Sequence, residues 1–188
     1  PVNFSSANTL IRELKLVHNG KHLVVANPPI SETTDMRRDG EKLENKQVEK
    51  TYTIEKLLKD NQGTYEIEFT VKPKNENNFE FKLANIKGEN IRFIFDLKKN
   101  VLSVDRSKSG IIDFSGNFAQ AMINAPLVTK AAYKIRLFVD KSSTELFVND
   151  GEVVQTNQVF PTEVYNSLTF DVNDGSISIE DINIYNLK

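Results

Sequence analysis

Cysteine is absent from the 188 residues, which removes disulfides, thiolate metal sites and a cysteine nucleophile together. Its absence says little about compartment, because secreted proteins also lack it. Tryptophan is missing too, so the largest aromatic face for stacking a sugar ring is unavailable, although five tyrosines remain. Glycine is sparse at eight residues, and neither a phosphate-cradling loop nor a Gly-x-Ser-x-Gly elbow occurs. No sign of charge dominates: 24 Lys and Arg stand interspersed against 26 Asp and Glu. That balance speaks against nucleic acid and against an anionic membrane as partners. No apolar run approaches the ~20 residues of a membrane span, and no signal peptide is evident. The chain starts at Pro1 without a methionine and reads as a piece of a longer protein, so a missing leader carries no information. One domain of this length buries roughly 70% of its extended surface and needs no cofactor to hold it together.

What is present is alternation of apolar and polar residues, broken by turn residues, as half-buried antiparallel strands require. In GTYEIEFTVK, residues 63 to 72, Tyr65, Ile67, Phe69 and Val71 share one face, and Glu66, Glu68 and Thr70 the other. The pattern returns at Phe79, Phe81 and Leu83, at Ile91, Phe93, Phe95 and Leu97, and at Tyr133, Ile135, Leu137 and Val139. It recurs at Leu146 and Val148, at Leu168, Phe170 and Val172, and from Ile177 to Ile184. Turns are expected at Asn19-Gly20, Asp39-Gly40, Gln62-Gly63, Lys87-Gly88, Ser109-Gly110, Asn149-Asp150-Gly151 and Asn173-Asp174-Gly175. Only residues 54 to 60, IEKLLKD, have helical spacing, with Thr53 as N-cap. The sum predicts an all-β, antiparallel two-sheet sandwich of the jelly-roll or concanavalin-like kind, with one or two short helical turns. Residues 8 to 25 form two apolar strands, and the polar stretch 28–50, carrying Pro28-Pro29, reads as a linker to the next unit.

Candidate chemistry is thin. His18 and His22 flank Asn19-Gly20, but no third histidine or cysteine exists to complete a zinc site, so no metal is expected. A retaining glycosidase needs two carboxyl groups about 5 to 5.5 Å apart across the sugar. Glu145 and Asp150 lie on one strand, roughly 17 Å apart at about 3.3 Å per residue, and cannot form such a pair. Asp140 and Glu145 flank the turn Lys141-Ser142-Ser143, where carboxylates more commonly cap backbone N–H groups. Arg38-Asp39-Gly40 reads as a turn, and Asn3-Phe4-Ser5 is a glycosylation sequon. The stretch VDRSKSGIIDFSGNF, residues 104 to 118, is richer. Asp105, Arg106 and Asp113, with Glu145, offer the fixed paired hydrogen bonds that a polyhydroxylated sugar needs. The competing and favoured account is that Arg106 pairs with a carboxylate on a neighbouring strand, such as Glu145.

VDRSKSGIIDFSGNF, Ala125-Pro126, IRLFVDKSSTELFVNDGE and Val159-Phe160-Pro161, in this order and spacing, resemble the C-terminal β-sandwich module of glycoside hydrolase family 32. Upstream, NTLIRELKLVHNGKHLVVANPPISETTDMR resembles that family's passage from its catalytic propeller into the sandwich. The family includes levanases, inulinases and invertases, which hydrolyse β-fructofuranosidic bonds. The resemblance implies three segments: residues 1–27 as the last strands or exit of the propeller, 28–50 as linker, and 51–188 as the sandwich module. It also implies that the catalytic propeller of the same polypeptide is the partner. The family's Asn-Asp-Pro, Arg-Asp-Pro and Glu-Cys motifs are not present, so no catalytic residue carries over. The expected role is packing on and stabilising the propeller of a secreted, periplasmic or cell-surface parent. The alternatives are a fructan-binding module, using Asp105, Arg106, Asp113 and Glu145, or a surface for homo-oligomer formation.

Overall fold

The computed structural model describes residues 8–119 and 121–188. The sequon at residues 3 to 5 lies outside them. Fifteen strands run β1 (Lys15–His18), β2 (Leu23–Ala26), β3 (Arg37–Lys42), β4 (Lys46–Val48), β5 (Thr51–Ile54), β6 (Tyr65–Pro73), β7 (Phe79–Ala84) and β8 (Asn90–Asp96). They continue as β9 (Val101–Lys108), β10 (Ile123–Pro126), β11 (Tyr133–Asp140), β12 (Ser143–Val148), β13 (Val153–Gln158), β14 (Ser167–Val172) and β15 (Ile177–Leu187). Two antiparallel sheets form the sandwich, one in the order β10-β9-β8-β7-β14-β5 and the other β13-β12-β11-β6-β15-β3, with β4 also on β15.

The alternating apolar residues meet between the sheets. Tyr65, Ile67 and Val71 from β6 and Phe81, Phe93 and Phe95 from β7 and β8 are wholly buried. Phe69 meets Phe81 and Phe170 edge-on, each with ring centroids 5.2 Å apart, the geometry in which aromatic quadrupoles attract. The antiparallel two-sheet sandwich is therefore as the alternation requires.

Three expectations change, the first being the turn at Asp39-Gly40, which lies within β3 with Gly40 paired to Tyr185. Residues 54 to 60 are not helical: Ile54 ends β5 opposite Leu168, and the N–H of Leu57 donates to the carbonyl of Asn166 at 2.8 Å. Seven residues are too few to nucleate a stable helix alone, and burying Leu57 and Leu58 under the sheet edge decides their conformation. The short helical turns are 3-10 segments at Ser31–Met36 and Lys74–Glu76 instead. The stretch 28–50 is not simply a linker, since β3 and β4 hydrogen-bond to β15. Its polar sequence fits an edge strand, where solvated charges discourage unwanted pairing.

The β1–β2 hairpin stands apart as a two-stranded sheet. Its exit is seated on the β12–β13 turn, where the N–H of Asn27 donates to the carbonyl of Gly151 at 2.9 Å. Asn149, Asp150 and Gly151 all have positive φ there. Only glycine fits the third position, because a Cβ on Gly151 would lie 2.4 Å from the Asn27 and Pro28 backbone.

Candidate functional site

Three places hold side chains that the sandwich alone does not explain. The first is the outer face of the seven-stranded sheet, against which Leu10, Arg12 and Thr33 are held. Glu66 is fully buried there and accepts from Arg37 at 2.7 and 2.8 Å and from Arg136 at 2.7 Å. Glu68 also pairs with both arginines. Burial alone would lower the pKa of Arg37, but the hydrogen bonds and charges of Glu66 and Glu68 carry it above its ordinary value. Alongside, Glu145 accepts from the N–H of Leu10 at 2.8 Å and from Nη2 of Arg12 at 2.5 Å. These carboxylates clamp the N-terminal segment and β3 onto the sheet, and their oxygens are engaged by arginines rather than open to a substrate.

The second is the hairpin. Leu14, Leu16, Leu23 and Val25 remain 74, 70, 67 and 55% exposed. Strand pairing sets Leu16 opposite Val25 and Leu23 opposite His18, so these side chains share one face. His18 accepts from the N–H of Gly20 at 3.1 Å, which makes it part of the turn. Among the described residues no cluster of metal-ligating groups exists.

The third is the rim where β9 and the following loop cross to β13. Arg106 donates to the carbonyl of Gln158 at 3.1 Å and stacks on Phe118, 4.2 Å from the ring centre. No carboxylate faces it among the described residues, and burial without a counter-charge lowers its pKa.

The four sugar-binding candidates are thus dispersed. Glu145 lies on the outer face of the seven-stranded sheet with Arg12. Asp105 lies on the outer face of the other sheet, 3.3 Å from Nη1 of Arg92 and accepting from the N–H of Ser107 at 2.9 Å. Asp113 is exposed in the loop after β9. The expected Arg106–Glu145 pair does not form, because Glu145 points to the opposite side of its sheet from the rim. Arg12, Arg37, Arg136 and Glu66 were not candidates in the sequence reading. Alternation sets Glu66 on the outward face like Glu68 and Thr70, so no signal in the sequence marked it as buried or pointed to its arginines.

Comparison with known proteins agrees with this architecture. A family model described as "Glycosyl hydrolases family 32 C terminal" matches residues 32–186. A levanase of Bacillus subtilis is 31% identical over 187 residues, covering 97% of this chain and 27% of the levanase. A fructan beta-fructosidase of Streptococcus mutans is 29% identical over 196 residues, covering 99% of this chain and 13% of that protein. The chain therefore spans about a quarter or less of the length of these curated relatives. The solved exo-inulinase of Aspergillus awamori superposes with a TM-score of 0.74 at 22% identity, over 94% of this chain and 35% of that one. At that identity the likeness is one of fold.

Proposed function

Because the chain belongs to the family of glycosyl hydrolase family 32 C-terminal domains, we propose that it is the non-catalytic sandwich module of a fructan-hydrolysing enzyme. Its work is to pack against the catalytic propeller of the same polypeptide and stabilise it. The observation that carries this reading is the β1–β2 hairpin. A two-stranded sheet alone in water is marginal, and this one turns the apolar face of Leu14, Leu16, Leu23 and Val25 to solvent. The hairpin also lies at the N-terminal side of the sandwich, where a domain of the kind that the family model describes as C-terminal would be joined to a preceding one. Apolar side chains aligned on one face at the junction are what a covering domain would bury. The other end of the hairpin is already fixed to the sandwich through Asn27 and Gly151, so a domain seated on it would be held in a set orientation.

Hydrogen exchange tests the assignment. In a polypeptide carrying the preceding catalytic portion, the amides of residues 14 to 25 should exchange more slowly than in the 188-residue chain. Equal exchange in the two would sink the packing role.

A further inference from the structure

Arg106 is the one half-buried arginine without a carboxylate among the described residues. Arg12, Arg37, Arg92 and Arg136 each pair with at least one, and Arg38 is exposed on edge strand β3. Taking a guanidinium out of water is costly unless its charge is answered. The fold goes to some length to hold Arg106 where it is. Asn90 pairs with Lys108 but Arg92 pairs with Asp105, so β9 carries one extra residue opposite Ile91. This bulge is fixed by the Asp105 carboxylate accepting from the N–H of Ser107 at 2.9 Å and by the N–H of Ser109 donating to the carbonyl of Arg106 at 3.1 Å. Bulges re-aim side chains, and this one lays the guanidinium on Phe118 and against β13.

The surroundings are equally incomplete. Among the described residues Nε of Arg106 has no hydrogen-bond partner, nor do Oγ of Ser109, Oγ1 of Thr144 or either amide atom of Asn157. Ser109 and Thr144 are fully buried and Asn157 is 1% exposed. They lie around the same rim. Thr144 faces Asn157 across β12 and β13, Arg106 holds the carbonyl of the next residue, Gln158, and Gly110 bridges to Phe160. Outside, Ile111, Phe114 and Met122 keep 38, 44 and 50% exposure, and Phe114 and Phe160 pack on Phe118 at 4.6 and 5.5 Å.

A guanidinium has five donors in a planar fork that matches two oxygens of one acceptor. Among the described residues one bond is made, to the Gln158 carbonyl, and it leaves most of that fork unused. A neutral hydroxyl would satisfy donors but leave the charge uncompensated, whereas an anionic oxygen pair answers both. Neighbouring apolar side chains lower the local dielectric and strengthen the contact. The geometry points to an oxyanion-binding site at the β9–β13 rim, taking a carboxylate or phosphate group, with Arg106 as the contacting cation and Phe118 as its support. The group arrives either on a small molecule or as an acidic side chain of an adjoining domain. This site is at the rim of β9, away from the hairpin, and stands or falls independently of the packing role.

The Nε–H resonance of Arg106 reads the site directly by nuclear magnetic resonance. Inorganic phosphate, acetate and fructose are titrated separately into the 188-residue chain at constant ionic strength. Saturable shifts are expected with phosphate and acetate and none with fructose. Arg106→Lys keeps the charge but loses both the fork and the Nε–H reporter, so its titration is followed, beside that of the wild type, at the backbone N–H of Ser107 and Ser109, and affinity should fall at least about tenfold. Arg38→Gln, on exposed β3, should leave the titration unchanged. If the occupant is a carboxylate of the adjoining domain, the longer polypeptide shows the shifted Arg106 signal without added anion and no longer responds to phosphate. If it is a free anion, the longer polypeptide titrates as the chain does. No saturable shift with either anion, an equal shift with fructose, or wild-type behaviour of Arg106→Lys would overturn the assignment.

Discussion

Replacing Leu16 and Leu23 together by threonine separates a docking face from a self-contained hairpin. Threonine, unlike leucine, is branched at Cβ and is well accepted in strands, so the change removes apolar area without weakening the preference for extended backbone. In the chain alone both leucines are largely in water, at 70 and 67% exposure, and their loss should alter stability by no more than about 0.5 kcal/mol. Full burial of a leucine is worth about 1.5–3 kcal/mol. Covering the exposed two-thirds of each side chain under a neighbouring domain therefore gains about 1–2 kcal/mol apiece. The double substitution should then cost about 2–4 kcal/mol, but only in the longer polypeptide. Native-state hydrogen exchange at the β1 and β2 amides measures the opening energy locally, so it does not require the two domains to unfold together. A loss of the same size in both polypeptides would mean that the leucines act within the hairpin. No loss in either would mean that nothing covers them, and the packing argument would fail.

Two further outcomes follow from the outer clamp and the loop network. Glu66→Ala leaves Arg37 and Arg136 facing each other without their shared, fully buried carboxylate. Because both arginines keep some exposure, the expected loss is at the lower end for a broken buried pair, about 3 kcal/mol by urea denaturation. A loss below about 1 kcal/mol would show that Glu68 suffices to hold the arginines. Glu89 contributes to the pH response, as do Asp96, Asp105 and Glu180, which are also held below their ordinary values: burial pushes the Glu89 carboxyl up, but hydrogen bonds from Asn85 and from the hydroxyl and N–H of Thr162 outweigh that and leave it below the ordinary value. Its contribution is complete above the unfolded carboxylate value of about 4.3 and is lost as the pH falls through the lower folded value. Wild type and Glu89→Gln should therefore differ in urea midpoint at neutral pH and converge in acid, and a constant difference across that range would refute the assignment.

The residues that were legible in the sequence are those whose surroundings repeat with the strand. Ile91, Phe93 and Phe95 alternate because each successive pleat returns to the same core, so parity alone placed them correctly. β3 escaped notice because its six residues, RRDGEK, are nearly all exposed and are held by the β15 backbone and by Arg37, neither of which leaves a periodic trace. The spacing of Ile54, Leu57 and Leu58 suits a helix, yet in an irregular segment any chain that dips under a sheet edge can bury the same three side chains. Glu145 shows a further limit: its partner Arg12 lies 133 residues away, and alternation says which face a carboxylate occupies but not what crosses it. Arg106 lies beyond even that rule. The extra residue in β9 breaks the two-residue period at that point, so counting from Val104 gives no information about where its guanidinium ends up. An unanswered cation is a property of three-dimensional neighbours, visible only once every other half-buried arginine has been seen to have its carboxylate.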